Sequence, residues 1–322
     1  MKNVLVLGGT GFVGREVCEQ LHRLGWHTTV PTRRASNASD VQHLPRVTVR
    51  EADVHDEAQL TALLRGHDAV VNLVAILHGS EAAFEHTHVA LPAKLARACA
   101  ASGVRQVVHI SALGVALDAP SRYQRSKARG EAVLREAAHS SQLSLSLLRP
   151  SVIFGAEDRF LNLFAQLQAV FPVVPLAGAR ARFQPVWVVD VARAVVACLQ
   201  DEHRPSAGEV DVFECAGPQV FTLADLVRLA GRYGSQERPV FALPLALGRL
   251  QALVMELLPG PPLMSRDNLD AMSQDNVASG QHPGLSALGI QPAALEPVAA
   301  TYLGQQGGRS RLLALRRGAG RR

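Results

Sequence analysis

The sequence is short of the features that mark several protein classes. Its four cysteines, Cys18, Cys99, Cys198 and Cys215, stand far apart in 322 residues, so neither a disulfide framework nor a cysteine metal site is encoded. They are expected to be small buried thiols in a reducing compartment. No apolar run reaches the roughly eighteen residues that a membrane-spanning helix needs. Met1 leads straight into an apolar strand, without the apolar core and small-residue cleavage site of a signal peptide, so the chain is expected to be unprocessed and cytoplasmic. The histidines are scattered; His86 and His88 are an isolated pair with no further ligand spacing, and no metal is expected.

Positive charge is present but uneven. Six arginines (309, 311, 316, 317, 321 and 322) crowd the end of the chain, and without them the formal net charge falls from +5 to −1. The body is therefore close to neutral. The Gly- and Arg-rich stretch 307–322 is expected to be disordered. Attraction to the anionic inner face of a membrane is a further reading of it. Nucleic-acid binding is not expected, because no aromatic residues or reading motif accompany the arginines.

Short apolar runs at 3–8, 28–32, 47–50, 69–74, 104–110 and 143–148 read as buried strands. Between most of them lie helical segments, around 12–24, 56–65, 81–102 and 122–138. Such alternation implies βαβ units, hence an α/β fold with a Rossmann-type, doubly wound parallel sheet across residues 1–150. Pro92 is expected to break or kink the 81–102 helix. After Pro150 the alternation gives way to helices near 160–170, 188–200, 222–234, 245–258 and 291–305. These read as a smaller, mostly helical C-terminal lobe, 151–306, interleaved with the first. The leucine-rich stretch Phe241–Met264 is expected to be buried against this lobe. An apolar surface for a lipid-like substrate, a membrane or a partner is the alternative.

Gly8-Gly-Thr10-Gly11-Phe12-Val13-Gly14 lies between the first strand and the first helix. Glycines there allow a tight turn, close backbone approach to a pyrophosphate and close packing of helix on strand. The helix N-terminus offers N–H groups to the phosphates. A site for NAD usually carries an acid at the end of the second strand, yet no Asp or Glu occurs from Gln20 to Ser39. Arg33 and Arg34 stand there instead, suited to a 2′-phosphate, so NADP(H) is favoured over NAD(H). Asp53 and Val54 follow the third strand, where a carboxylate can accept from the adenine amino group. Asn72, Val74 and Ala75 end the fourth strand, at the edge where ligands of such sheets bind.

Tyr123 and Lys127 are four residues apart on one helical face, in a chain with only three tyrosines and three lysines. Lys127 is expected to lower the Tyr123 pKa and hold the nicotinamide ribose, leaving the phenol to move the proton that accompanies hydride transfer.

Together with His109-Ile-Ser-Ala-Leu-Gly114 and Leu148-Arg-Pro-Ser-Val-Ile-Phe-Gly155, these motifs resemble the short-chain dehydrogenase/reductase superfamily. Within it the chain is similar to the atypical extended branch, which includes the nucleotide-binding accessory subunit of respiratory complex I (alpha-subcomplex subunit 9-like) and bacterial relatives. The resemblance implies that Ser111 is the catalytic hydroxyl beside Tyr123 and Lys127, although extended members use a position nearer Leu113. It also implies that His88 stands where catalytic members have asparagine, and that Pro150, Ser151 and Val152 line the nicotinamide side. Three functions stay open. One is an NADP(H)-dependent oxidoreductase acting on a carbonyl, an alcohol or a small apolar or quinone-like substrate. The others are a non-catalytic accessory or assembly factor that binds respiratory-complex subunits, and a sensor of dinucleotide occupancy.

Overall fold

A computed structural model describes residues 1–234, 236–257 and 264–303. In chain order the first stretch runs β1 Asn3–Leu7, α1 Phe12–Arg23, β2 His27–Thr32, β3 Val47–Glu51, α2 Glu57–Leu64 and β4 Ala69–Asn72. It continues with α3 Glu81–Phe84, α4 Leu91–Ser102, β5 Gln106–Ile110, α5 Arg122–Ser141 and β6 Ser144–Pro150. Then come β7 Ile153–Phe154, α6 Leu161–Val170, β8 Val174–Leu176, β9 Arg182–Phe183, β10 Val186–Trp187, α7 Val188–Leu199 and β11 Val210–Cys215. The rest is β12 Phe221–Thr222, α8 Leu223–Tyr233, β13 Val240–Ala242, α9 Leu245–Leu257, α10 Arg266–Ala271 and α11 Leu295–Tyr302.

The chain divides into two compact units. The first comprises 1–150, 188–216 and 278–291; the second comprises 151–187, 217–277 and the described residues from 292 onward. In the first, seven strands form a sheet in the order β11-β6-β5-β4-β1-β2-β3. All six pairings are parallel. Parallel neighbours need crossover helices, and these cover both faces: α1 packs on α7, while α2 packs on α4 and α4 on α5. Leu5, Leu7 and Val70 point from the sheet into a core with Leu60, Leu64, Leu91, Leu95 and Leu134. The strand order reverses between β1 and β4, and the carboxyl ends of those strands, at Leu7 and Asn72, flank the point where such sheets bind ligands.

The sheet is larger than the sequence suggests. The alternation expected to stop near residue 150 resumes with α7 and β11, which return to the first unit. β11 is an edge strand, and Asp211 and Glu214 interrupt its apolar run, so it lacks the signature of a strand buried on both faces.

The second unit packs α6 against α8, with α11 alongside. Phe154, Leu161, Leu176, Leu223, Leu226 and Leu295 fill its core. Burial of the whole leucine-rich segment is not what this unit shows. Within α9 only Gly248 and Ala252 are buried, against Ala177 and Leu269. Most of the helix's leucines face outward because its small residues, rather than its large ones, make the packing contact. Residues 307–322, expected to be disordered, lie outside the described residues, as does part of the 241–264 segment.

Pro92 acts as expected, in a specific way. Residues 85–90 wind as a π-helix between α3 and α4, and Pro92 sits in the first turn of α4. Having no N–H, Pro92 cannot bond the carbonyl of His88 four residues back. That carbonyl instead lies against Gly130 of α5, where a Cβ would overlap it. The two helices approach backbone to backbone at this point. A Gly130→Ala substitution should therefore cost about 2–3 kcal/mol by forcing α5 outward. Helix propensity alone would instead add about 1 kcal/mol of stability. Urea denaturation distinguishes the two signs.

Candidate functional site

The glycine loop joins β1 to α1 at the point where the strand order reverses. Gly8 has φ of 81°, a left-handed conformation that a side chain resists, and a Cβ there would press on the backbone of Leu73 and Val74. A Cβ at Gly14 would overlap the Gly8 carbonyl, so α1 packs directly on the loop. Gly11 caps α1 in an extended conformation, with no side-chain hydrogen bond and no acid in the first turn. The first N–H groups of α1, near Thr10, Phe12 and Val13, thus have no side-chain cap. A cradle closed to side chains and lined by donors suits a pyrophosphate.

Beyond β2, Arg33 and Arg34 are exposed, and neither forms an ion pair among the described residues. Glu51 is not apparent from its place in the sequence. It ends β3, opposite Thr32 in register, and accepts from the Ala35 N–H at 2.7 Å, bringing an acid next to the arginine turn from another strand. Asp53 is exposed and accepts from the His55 N–H at 2.9 Å, while Val54 packs on the core. His55 stacks on His86 with ring centroids 4.1 Å apart. Burial, then the His86, Lys94 and Arg33 charges, hold its imidazole below the ordinary range against the opposing pull of Asp53.

At the ends of β4 and β5, Asn72 and His109 lie opposite each other in register. The Asn72 amide donates to His109 Nδ1 at 3.1 Å and its oxygen accepts from the Val74 N–H at 3.2 Å. Val74 is half-buried and Ala75 exposed. His109 Nε2 and the Ser111 hydroxyl are buried with no hydrogen-bond partner. Each such group costs about 1–3 kcal/mol, so two at one strand end call for an explanation.

Helix α5 brings its own groups to this edge. The Ser121 hydroxyl caps it by accepting from Gln124 N–H at 3.1 Å. Lys127, 2% exposed, donates from Nζ to the Ile110 carbonyl at 2.6 Å. Burial pushes the ammonium down to about 8, with Glu131 opposing the shift. Tyr123 sits one turn earlier, edge-on to His88 at 5.4 Å and to Phe84 at 6.2 Å. Burial pushes its phenol up to about 12. That is the reverse of the lowering expected from Lys127, and burial is its cause.

His88 accepts from the Ile76 N–H through Nε2 at 3.1 Å and faces the Ser126 hydroxyl through Nδ1 at 2.8 Å. Ser126 in turn donates to the Tyr123 carbonyl at 2.8 Å. The imidazole is therefore neutral with its proton on Nδ1, and burial, with Lys127 nearby, pushes it down to about 3. His109 is held well below its ordinary value by burial, Lys127 and His88. Two neutral histidines thus accompany one buried ammonium.

Among the expected residues, Asn72, Ser111, Tyr123, Lys127 and Pro150 gather at this edge. Ser111 and Leu113 lie beside β6, their N–H groups donating to the Leu148 and Pro150 carbonyls. Ser151 and Val152 belong to the second unit. There Asn276 holds both, its Oδ1 accepting from the Ser151 hydroxyl at 2.6 Å and the Val152 N–H at 3.0 Å. His109, within the His109–Gly114 motif, joins this edge without a role implied by its sequence position. The signal for it is a polar residue ending an otherwise apolar buried strand. The four cysteines are buried, and burial pushes the thiols of Cys18, Cys99 and Cys198 up to about 12, which leaves them unreactive.

A glycine loop at the reversal of a doubly wound sheet, with tyrosine and lysine one turn apart at the neighbouring strand ends, defines a dinucleotide-binding protein of the short-chain dehydrogenase/reductase class. The chain belongs to the NAD dependent epimerase/dehydratase family, whose pattern matches residues 4–213. It is similar to the mouse protein "NADH dehydrogenase [ubiquinone] 1 alpha subcomplex subunit 9, mitochondrial", at 32% identity over 302 residues, covering 90% of this chain and 77% of that one. "Ceramide reductase" of Caulobacter vibrioides is 29% identical over 196 residues, 60% of each chain. Among solved structures, a dTDP-glucose 4,6-dehydratase from Streptomyces venezuelae with NAD bound has the same fold. Its TM-score is 0.73 at 21% identity, over 95% of this chain and 97% of that one. Among the described residues no helix is long and apolar enough to cross a membrane.

The buried histidines give the protein an acid-sensitive stability. An unfolded chain protonates His88 near its ordinary 6.5, whereas the folded chain resists until about 3. Between these values the unfolded state binds more protons, so stability falls as pH falls through that window. His88→Asn should flatten the melting temperature's dependence on pH from 6.5 to 4, measured by thermal denaturation. An unchanged slope would remove His88 from the account.

Proposed function

We propose that the chain is an NADP(H)-binding reductase of the extended short-chain class, acting on the carbonyl of a small apolar or quinone-like substrate. The observation that carries this reading is the pair of buried, unpartnered groups, Ser111 Oγ and His109 Nε2, at the strand end where Lys127 is anchored. A purely structural core satisfies such groups or replaces them with apolar ones, whereas a ligand site keeps them. Gly8, Thr10, Gly11, Phe12, Val13 and Gly14 would hold the pyrophosphate. Arg33 and Arg34 would hold the 2′-phosphate, Asp53 and Val54 the adenine, and Asn72, Val74, Ala75, Lys127 and Pro150 the nicotinamide half. The bound nicotinamide supplies the hydride. Ser111 would donate a hydrogen bond to the substrate oxygen, and Tyr123 would deliver the proton to it. A phenol near 12 stays protonated at neutral pH, which suits the reductive direction, and a lysine near 8 stays largely charged beside it.

A second reading, an NADP(H)-binding accessory or assembly factor of a respiratory complex, is favoured by the likeness to the mouse subunit over 90% of this chain. Lys127 serves either reading, since it would grip the ribose without turnover. Under both, the chain would work in the cytoplasm at the inner face of the membrane, with the arginine-rich residues 307–322 drawn to anionic lipid.

Two measurements test these assignments. NADPH should bind more tightly than NADH, and Arg33→Ala should shrink the difference by roughly tenfold or more, since it removes charge-assisted hydrogen bonds; equal affinities in the unaltered protein would overturn the NADP(H) assignment. In a screen of NADPH oxidation with aldehydes and quinones, Tyr123→Phe should lose roughly a hundredfold or more in turnover at unchanged NADPH affinity. Tight NADPH binding with no turnover by the unaltered protein, together with co-purifying respiratory subunits, would favour the accessory reading.

A further inference from the structure

Helix α9 is amphipathic the wrong way round. At ~100° per residue, Leu247, Leu250, Leu253, Val254 and Leu257 fall on a stripe about 120° wide. Gly248 and Ala252, which pack on Ala177 and Leu269, lie on the opposite side. The five apolar side chains are 37–78% exposed. In an ordinary surface helix these faces are exchanged. The apolar surface is not confined to α9. In the strand pair β8–β13, Phe241 lies opposite Pro175, and Val173 stands two residues before Pro175. Both are exposed, at 58% and 43%. An outward face of this kind marks a surface that something covers.

The charges around it indicate what does. Beside the stripe, Arg249 is paired with Asp270 and Glu256 with Arg266, so these flanking charges are neutralised within the unit. The chain runs from α11, in the same unit, into residues 304–322, which hold six arginines, three leucines (312, 313 and 315) and no acid. Apolar area and a basic segment are the two signals that together give stable attachment to an anionic bilayer, each being marginal alone. At 13 residues α9 is too short to cross a bilayer, so it would lie in the plane of the interface.

We propose that the outward face of α9 is a docking surface for an anionic lipid membrane, its leucine stripe entering the acyl boundary while the arginine-rich segment engages the headgroups. This rests on the reading that the chain works at a membrane, and it adds the surface that does the binding. The site at Tyr123 and Lys127 lies in the other unit, so the proposal does not depend on turnover.

The test is sedimentation of the full chain with sucrose-loaded vesicles, of phosphatidylglycerol mixed with phosphatidylcholine or of phosphatidylcholine alone. The unaltered protein should sediment with the anionic vesicles and much less with the neutral ones. Leu250→Glu with Val254→Glu should weaken binding by roughly tenfold or more, since it places two charges in the apolar stripe, while NADPH affinity is unchanged. A second variant, Leu250→Trp, should show a blue-shifted emission on adding anionic vesicles. If the double variant sediments like the unaltered protein, or the new tryptophan shows no shift, the α9 assignment is overturned and binding belongs to the arginine segment alone. If the unaltered protein sediments with neither vesicle, the membrane reading fails as well. A face that instead drives self-association, or capture of respiratory subunits, abolished by the same double variant, would also overturn the proposal.

Discussion

The Lys127 ammonium is buried at the end of β5, where the Ile110 carbonyl accepts from it, and its neighbours are arranged around that one charge. Two imidazoles nearby, His88 and His109, stay neutral because burial and the lysine both oppose a second positive charge. Glu131, one turn further along α5, favours the charged lysine and is itself held by Arg149 of β6. The same hydrogen bond ties α5 to the sheet and so fixes where Tyr123 stands. One contact thus positions this face of α5 against the strand end.

That contact depends in turn on how closely α5 can approach. Pro92 frees the His88 carbonyl, a π-helical turn accommodates the change in winding, and Gly130 lets α5 lie against that carbonyl. The turn that packs the helix also holds His88, which reaches the Tyr123 backbone through Ser126. Replacing His88 would therefore remove more than one polar contact. The imidazole spans two partners, the Ile76 N–H and Ser126, and so couples the loop after β4 to the start of α5.

The second unit follows a different logic. Its core is closed by α6, α8 and α11, while α9 buries only Gly248 and Ala252, is tied to α10 by the Arg249–Asp270 and Glu256–Arg266 ion pairs, and leaves most of its large side chains outside. Such an arrangement exposes apolar surface that folding does not require, and the nearby ion pairs remove the charge that would keep it from a lipid surface. The glycine loop, with Tyr123 and Lys127, and the apolar helix belong to separate units.

Much of this was legible in the sequence. Runs with the strand signature gave β1 to β6 to within two residues; β1, β4, β5 and β6 are buried along most of their length, as strands covered on both faces are, whereas the edge strand β3 is largely exposed. The glycine pattern located the loop, because only glycine can adopt the backbone of Gly8 or let Gly14 touch it. The spacing of Tyr123 and Lys127 put them on one face, because a helix has a fixed period. Tertiary structure alone decided the rest. It brought Glu51 beside the arginine turn, set His109 against Asn72 and left Ser111 unpartnered, since these depend on the register of strands distant in the chain. It returned β11 to the sheet as an edge strand. It turned the expected shift of Tyr123 upward, through burial of the phenol. It also turned the leucines of α9 outward, because periodicity defines a helix's two faces, but only its packing partners decide which of them is buried.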